Sequence, residues 1–204
     1  MVIGGVQFVQ DRSAAAPPGQ PAVETGDRVV LGAEASDPAV ALGRMARVGP
    51  PRVGWMRGSV NGGPMELEFD RRAAIVRGAL GGEPVAVDVD HDNARIRGKA
   101  NGADVDLHFA WTPERIRYEG RANNAPYEMT LDWRRGRAEG ADIDLSFSLQ
   151  DGWVRGEALG HDVNLSYDKV SGRLTGFMNG APVRATITNL DLGDFLQNFY
   201  LFAR

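Results

Sequence analysis

A motif that recurs with a period of roughly 20 residues limits what this chain can fold into. It consists of an aliphatic residue, any residue, a glycine, two further residues, a turn pair and then alternating apolar residues. The aligned glycines are Gly58, Gly78, Gly98, Gly120, Gly136, Gly156 and Gly176. The turn pairs are Asn61-Gly62, Gly81-Gly82, Asn101-Gly102, Asn123-Asn124, Glu139-Gly140, Leu159-Gly160 and Asn179-Gly180. Asn-Gly favours type I′ turns, because both central residues need a positive φ. The repeat therefore predicts seven β-hairpins; at Leu159 we expect another type of turn.

The third hairpin shows what the repeat implies when residues are paired outward from its turn. Ile96 then lies opposite Leu107 on one face, and Arg97 lies opposite Asp106 on the other. The same rule pairs Arg57 with Glu66, Lys99 with Asp104 and Arg135 with Asp144. Opposite charges directly across two strands stabilise that register. Each hairpin is therefore predicted to have one apolar and one charged face.

Fourteen strands with one apolar face need cover in water, because an open single-layered sheet would leave that face exposed. We therefore predict an all-β fold: an antiparallel meander of about 14 strands, closed as a barrel or folded as a sandwich. A solenoid is the alternative, since the spacing from Gly98 to Ala103 resembles curli-type amyloid repeats. Parallel stacking would place Arg57, Arg77 and Arg97 over one another at about 4.8 Å, which favours hairpins.

The two ends of the chain differ from the repeat. Residues 1–52 are rich in proline and alanine and predict a linker followed by a short helix over 39–48. Residues 53–189 form the hairpin domain. Residues 190–204 carry apolar side chains at helical spacing after Asn189 or Asp191 as a cap, which predicts an apolar helix. That helix either covers the sheet or docks onto a partner protein or a membrane surface.

Composition excludes several kinds of function. The chain has no cysteine, so it has neither disulfides nor thiolate metal sites. A net charge of −4 argues against a nucleic-acid partner. No apolar run reaches the roughly 20 residues of a membrane-spanning helix. Residues 1–10 do not have the pattern of a signal peptide. A secreted or cell-envelope location would therefore require a leader already removed, and otherwise we expect a cytoplasmic protein.

Two groups of residues are candidates for binding. Aromatic side chains near the predicted loops and in the C-terminal helix, which an apolar or lipid-like ligand would contact, are Phe109, Trp111, Trp133, Trp153, Phe195 and Phe199. Asp88, Asp90 and Asp92 alternate in one loop and offer oxygen ligands to Ca²⁺. The same aspartates are also ordinary turn residues, and no other cofactor is expected.

The sequence favours a non-enzymatic role. It contains no nucleophile elbow, P-loop or dinucleotide-binding motif. We therefore expect a bacterial-type β-repeat scaffold or binding protein that holds an apolar small molecule between sheet and helix. One alternative is a self-assembling structural subunit that forms homo-oligomers through its sheet edges or its C-terminal helix. The other is a hydrolase that uses two of the many outward-facing carboxylates.

Overall fold

The computed structural model describes residues 52–202, and within this range the chain forms fourteen antiparallel strands. The short helix predicted in the N-terminal segment lies outside the described residues. The strands are β1 (Val53–Val60), β2 (Gly63–Asp70), β3 (Ile75–Leu80), β4 (Glu83–Asp90), β5 (Arg95–Ala100), β6 (Ala103–Thr112), β7 (Arg115–Ala122), β8 (Ala125–Asp132), β9 (Arg137–Gly140), β10 (Ile143–Ser148), β11 (Trp153–Ala158), β12 (His161–Asp168), β13 (Arg173–Met178) and β14 (Ala181–Thr188).

The strands follow chain order around a closed barrel, and β1 completes it by pairing with β14. The predicted all-β meander is confirmed, and it is a barrel, not a folded sandwich or a solenoid. In the third hairpin Ile96 pairs with Leu107 and Arg97 with Asp106, as the turn position predicts. Apolar side chains alternate with polar ones along each strand, so the apolar face encloses the core and the charged face lies outside.

The hairpin turns form one end of the barrel, which we call the tip end. Asn61 and Asn101 have φ values of 53° and 54°, and the glycines that follow them have 74° and 70°. Leu159 also has a positive φ, 54°, and Gly160 follows with 74°. The expectation of a different turn at Leu159 was wrong. A leucine in this conformation costs about 1–2 kcal/mol, and its side chain packs against the core.

The fifth hairpin differs from the predicted alignment. Its turn lies at residues 141–142, because Gly140 belongs to β9 and pairs with Ile143. Asp144 therefore lies opposite Glu139, not opposite Arg135 as predicted, and it bonds to Arg137. The predicted turn pair Glu139-Gly140 was wrong for this reason.

The error came from Gly136, which is a loop residue with a φ of 63°. It closes a second repeated motif, in which a side-chain acceptor starts a four-residue loop and alanine or glycine ends it in a left-handed conformation. The pairs that start and end these loops are Asp70 and Ala74, Asp90 and Ala94, Asp132 and Gly136, Ser148 and Gly152, and Asp168 and Gly172. Each acceptor bonds a backbone N–H inside its loop. These loops and the shorter loop at residues 113–114 form the other end of the barrel, the mouth.

In six of the seven hairpins a glycine precedes the turn by three residues, at a position where no side chain fits. Gly98 has a φ of 152°, and a Cβ on it would lie 2.0 Å from the carbonyl oxygen of Ala86. Only glycine combines this backbone conformation with so close a neighbour. The same contact recurs between other hairpins, for example from Gly78 to Glu66. The recurring glycines therefore let neighbouring hairpins approach closely as the barrel bends.

The C-terminal segment fills the interior of the barrel. Helix α1 (Leu192–Gln197) begins with a reciprocal capping box between Asp191 and Asp194, and a 3₁₀ helix (Phe199–Leu201) follows it. We call residues 192–202 the plug. Its aromatic side chains are at most 1% exposed, and the ring of Tyr200 lies 6.5 Å from the inward-facing Tyr118. The predicted apolar helix is thus shorter than residues 190–204 and is enclosed by the sheet.

Asparagines at the tip end fasten the last turn of the plug. Their side-chain amides donate to three consecutive backbone carbonyl oxygens that the 3₁₀ helix leaves without partners. Asn61 and Asn179 each bond to Phe202 at 2.9 Å, Asn101 bonds to Leu201 at 2.8 Å, and Asn123 bonds to Tyr200 at 2.9 Å. One side chain therefore serves both the type I′ turn and the anchoring of the plug.

Candidate binding cavity at the barrel mouth

The plug fills the tip end of the barrel and leaves a cavity of about 600 Å³ at the mouth. Strands β2 to β7 with their loops, Trp133 after β8 and one side of α1 line it. Its apolar lining is Phe69, Ala74, Ile75, Val76, Val89, Ile96, Phe109, Trp111, Pro113, Ile116, Tyr118, Trp133 and Leu190, and its polar lining is Asp70, Arg71, His91, Thr112, Asp194, Gln197 and Asn198. The plug therefore forms the floor and one wall of an open, mostly apolar space.

The pairing of β6 with β7, between the third and the fourth hairpin, forms the outer wall of the cavity. Strand β6 has ten residues and is the longest described strand; at the mouth it extends beyond β5 and pairs with β7 up to its last residue. Trp111 and Ile116 pair across this extension and occupy inward-facing positions of the pleat. Ile116 is partly buried against the core, whereas Trp111 is 67% exposed.

Aromatic rings line the side of the cavity below Trp111. The ring centroids of His91 and Phe109 are 6.0 Å apart in an edge-on arrangement, and those of Phe109 and Tyr118 are 6.4 Å apart. Burial raises the pKa of the Tyr118 hydroxyl well above its ordinary value, so this group is neutral at physiological pH. Tyr118 therefore adds no charge to the aromatic wall.

The wall formed by the plug is polar, but its charges are paired. Arg71 donates to the Asp194 carboxylate at 3.0 Å and to the backbone oxygen of Asn189 at 2.8 Å. Burial raises the pKa of Asp194, whereas the neighbouring Arg71 lowers it. Asn198 donates its amide to the backbone oxygen of Asp194. The side chain of Gln197 is exposed beside these groups and has no hydrogen-bond partner among residues 52–202.

The structure brings together half of the aromatic residues proposed from sequence. Phe109, Trp111 and Trp133 all line the cavity. Trp153 faces outward on β11 instead, where the guanidinium of Arg155 lies 5.2 Å from its ring centroid. Phe195 and Phe199 belong to the buried plug and are 0% exposed. The ligand-contacting role of all six residues stays a prediction.

The three aspartates proposed for calcium lie on and after β4. Asp88 faces outward opposite Arg97, and Asp92 is exposed in the loop. The carboxylate of Asp90 accepts the backbone N–H of Asn93 at 3.0 Å and its amide at 2.7 Å, and these bonds lower the pKa of Asp90. Asp90 thus occupies the position at which Asp70 and Asp168 start their loops. Among residues 52–202, no group of three or more His, Asp or Glu side chains is arranged to hold a metal ion.

Sequence reasoning missed most of the cavity lining. The correct strand register places Phe69 and Tyr118 on the apolar face. The local sequence around them does not distinguish a residue that lines the cavity from one that belongs to the core. The sequence around Asp194 indicates only that it could form a capping box with Asp191. These residues meet because β2, β7 and α1 converge at the mouth, although they are far apart in sequence.

The chain matches no family model, no curated protein and no solved structure. In the part of the chain that the structure describes, no helix is long and apolar enough to cross a bilayer. The function must therefore be argued from the geometry of the barrel and its cavity.

Proposed function

We propose that this protein is a non-enzymatic binding protein that holds a neutral, largely apolar small molecule in the mouth cavity. The observation that carries the proposal is the cavity itself, an open space of about 600 Å³ between an aromatic wall and the plug. Small-molecule sites typically measure about 300–1,000 Å³ and combine an apolar lining with a few polar groups. The cavity has this size and this composition.

The exposed tryptophan at the rim supports the proposal. Trp111 is one of four large hydrophobic residues that are strongly exposed within residues 52–202, and the others lie outside the cavity. Burying apolar surface is favourable by about 25 cal/mol per Å², so an apolar occupant beneath Trp111 would gain from covering the ring. The ring occupies an inward-facing position of β6 and lines the cavity.

The pairing of the charges favours a neutral ligand. Asp194 pairs with Arg71, and Asp70 bonds to Arg52 at 2.9 Å. A charged ligand would have to displace one of these partners and leave a partly buried charge uncompensated. The exposed amide of Gln197 offers both a donor and an acceptor. A hydroxyl, ester or amide group on an otherwise apolar ligand fits this wall.

The same pairing supports a role without catalysis. A general acid or base needs a carboxylate or imidazole that is free to exchange a proton with a substrate. Both carboxylates in the lining accept hydrogen bonds from arginine, and His91 has no hydrogen bond to a hydroxyl or a carboxylate among residues 52–202. Within residues 52–202 the hydrolase hypothesis has no comparable arrangement to favour it.

The proposal is tested with N-phenyl-1-naphthylamine, a neutral apolar probe whose fluorescence rises in apolar sites. We expect saturable binding to the full chain that a neutral long-chain alcohol displaces. Ile116→Arg places a charge in the cavity and should abolish this binding. Val170→Arg is the matched control, because Val170 is 98% exposed and lies outside the lining.

Circular dichroism melting must first show that both variants are folded. Equal probe binding by the two variants, or no saturable binding by the parent protein, would disprove a ligand site at the mouth. Mass spectrometry of organic extracts from the purified protein gives an independent result, since a retained neutral lipid would identify the class of ligand directly.

A further inference from the structure

The seventh hairpin has a different outer surface from the other six. Each of the first six hairpins has at least two acidic side chains at outward positions: Glu66 and Glu68, Asp88 and Asp90, Asp104 and Asp106, Glu119 and Glu128, Glu139 and Asp144, and Glu157 and Asp162. Residues 173–188 contain no aspartate or glutamate at all. The outward positions of β13 and β14 are instead arginine, threonine, phenylalanine and proline.

Three arginines surround a groove on this surface. The groove has a volume of about 470 Å³ and crosses β13, β14 and β1. Arg173 and Arg57 both lie opposite Thr186, one on each side of β14, and Arg184 lies on β14 itself, two residues before Thr186. Since adjacent strands are about 4.8 Å apart, the backbones of Arg57 and Arg173 are separated by about 10 Å. We call this feature the arginine groove.

Two of these arginines form no salt bridge with the described residues. Arg57 bonds to Glu66 at 3.1 Å, whereas neither Arg173 nor Arg184 has a carboxylate oxygen within 4.0 Å among residues 52–202. Asp168 lies opposite Arg173 in the ladder and feels its charge, but the Asp168 carboxylate forms its hydrogen bonds with the loop residues Val170 and Ser171. Both Arg173 and Arg184 are exposed in a protein whose net charge is −4.

An aromatic residue completes the surface. Phe177 lines the groove and is 60% exposed, although it occupies an outward position that is polar in most other hairpins. Exposed aromatic and arginine side chains are the residue types most enriched at protein interfaces. A surface that served only for solvation would not need phenylalanine at this position.

We propose that the arginine groove binds an acidic segment of a partner polypeptide, one in which carboxylates alternate with apolar residues. The carboxylates would pair with Arg173 and Arg184, and an apolar side chain would cover Phe177. A nucleic acid is disfavoured because its long line of phosphates would also meet the acidic faces of the neighbouring hairpins. A short segment with carboxylates and apolar residues fits both the local charge and the exposed ring.

The experiment uses the full chain and a fluorescein-labelled decapeptide of alternating glutamate and leucine, followed by fluorescence anisotropy. We expect saturable binding that weakens as salt is raised, and no binding of the corresponding lysine–leucine peptide. The double variant Arg173→Gln/Arg184→Gln should weaken binding about tenfold or more, because each lost charge-assisted contact removes affinity. Phe177→Ser should weaken it about threefold or more through lost apolar contact.

The matched control is Arg121→Gln/Arg134→Gln, which removes the same charge from exposed arginines that have no ion pair within residues 52–202 and lie outside the groove. It should bind the peptide within about twofold of the parent protein. Equal losses in the two double variants would show a general charge effect and overturn the proposal. Stronger binding of single-stranded DNA or of inositol hexakisphosphate, unaffected by Phe177→Ser, would assign the groove to phosphates and overturn it as well.

The outcome is independent of the mouth cavity. The naphthylamine probe reports on Ile116 at the mouth, whereas the peptide reports on the outer face of β13 and β14. Failure of one experiment therefore leaves the other proposal standing.

Discussion

Replacing Phe195 by alanine tests whether the plug is part of the hydrophobic core. The ring is 0% exposed, stacks on Phe202 at a centroid distance of 4.9 Å and meets Phe199 edge-on at 6.1 Å. Removing a buried phenylalanine side chain forfeits about 1.5–3 kcal/mol of transfer free energy. Lost ring contacts and the cavity left behind bring the expected cost to about 3–5 kcal/mol.

Such a cost is a large share of the total stability, since a domain of this kind is stable by only about 5–15 kcal/mol. Urea unfolding followed by circular dichroism measures it. With a slope of about 1–3 kcal/mol per M, the midpoint should fall by about 1 M or more while the slope itself is unchanged. Phe177→Ala is the matched control, because that ring is 60% exposed on the outer face and should change the midpoint little.

Equal midpoints for the two phenylalanine variants would refute the enclosed plug. A truncation provides a stronger version of the same test. Removing residues 191–204 takes away the whole plug together with the backbone carbonyls that the tip asparagines bind. We expect this chain to unfold, bind an apolar dye or aggregate. A truncated protein that remains soluble and melts at the original temperature would mean that the sheet closes without the plug.

The remaining predictions concern the turns, the register and the response to acid. Gly98→Ala should destabilise the protein by clearly more than Gly102→Ala, because only the alanine at position 98 places a Cβ against a backbone oxygen. At position 102 the φ of 70° alone should cost about 1–2 kcal/mol in urea unfolding. Equal costs for the two substitutions would contradict the close contact at Gly98. A double-mutant cycle should couple Arg95 with Asp106, which bond at 2.6 Å, by about 0.2–1 kcal/mol, and a coupling of zero would contradict their contact. Hydrogen bonds from an arginine and from loop N–H groups lower the pKa of Asp70 to about 2 from an ordinary value of 3.8, so its stabilising effect is complete above that value and is lost as pH falls toward 2. Asp70→Asn should therefore flatten the loss of stability between these pH values, and an unchanged pH profile in urea unfolding would contradict the assigned bonds.

Most of the barrel could be predicted from sequence because its hairpins are local. The third hairpin depends on a turn at Asn101-Gly102 and on alternation in the strands beside it, so every interaction that sets its register lies within a few residues of the turn. The fifth hairpin shows the limit of this reasoning. Gly136 belongs to a loop motif that was not recognised, and aligning it with the strand glycines displaced the predicted turn by two residues.

The candidate site was only partly predictable for a related reason. Sequence identified Trp111 as an aromatic residue near a loop, but it gave no basis for separating it from Trp153, which also lies next to a loop but faces outward. The difference is that Trp111 occupies an inward-facing position at the mouth end of β6, whereas Trp153 occupies an outward-facing position of β11. Burial is a property of the assembled sheet and not of the tryptophan itself.

The sequence by itself determined the number and class of the hairpins, the apolar and charged faces and the apolar character of the last residues. Local turn geometry and the two-residue period of a strand are sufficient for these features. Only the tertiary structure decided that the sheet closes into a barrel, that the plug lies within it and that the mouth remains open. Asn61 meets Phe202, 141 positions away, and Arg71 meets Asp194, 123 positions away. Such contacts depend on the summed twist and bend of fourteen strands, which no single segment of the chain contains.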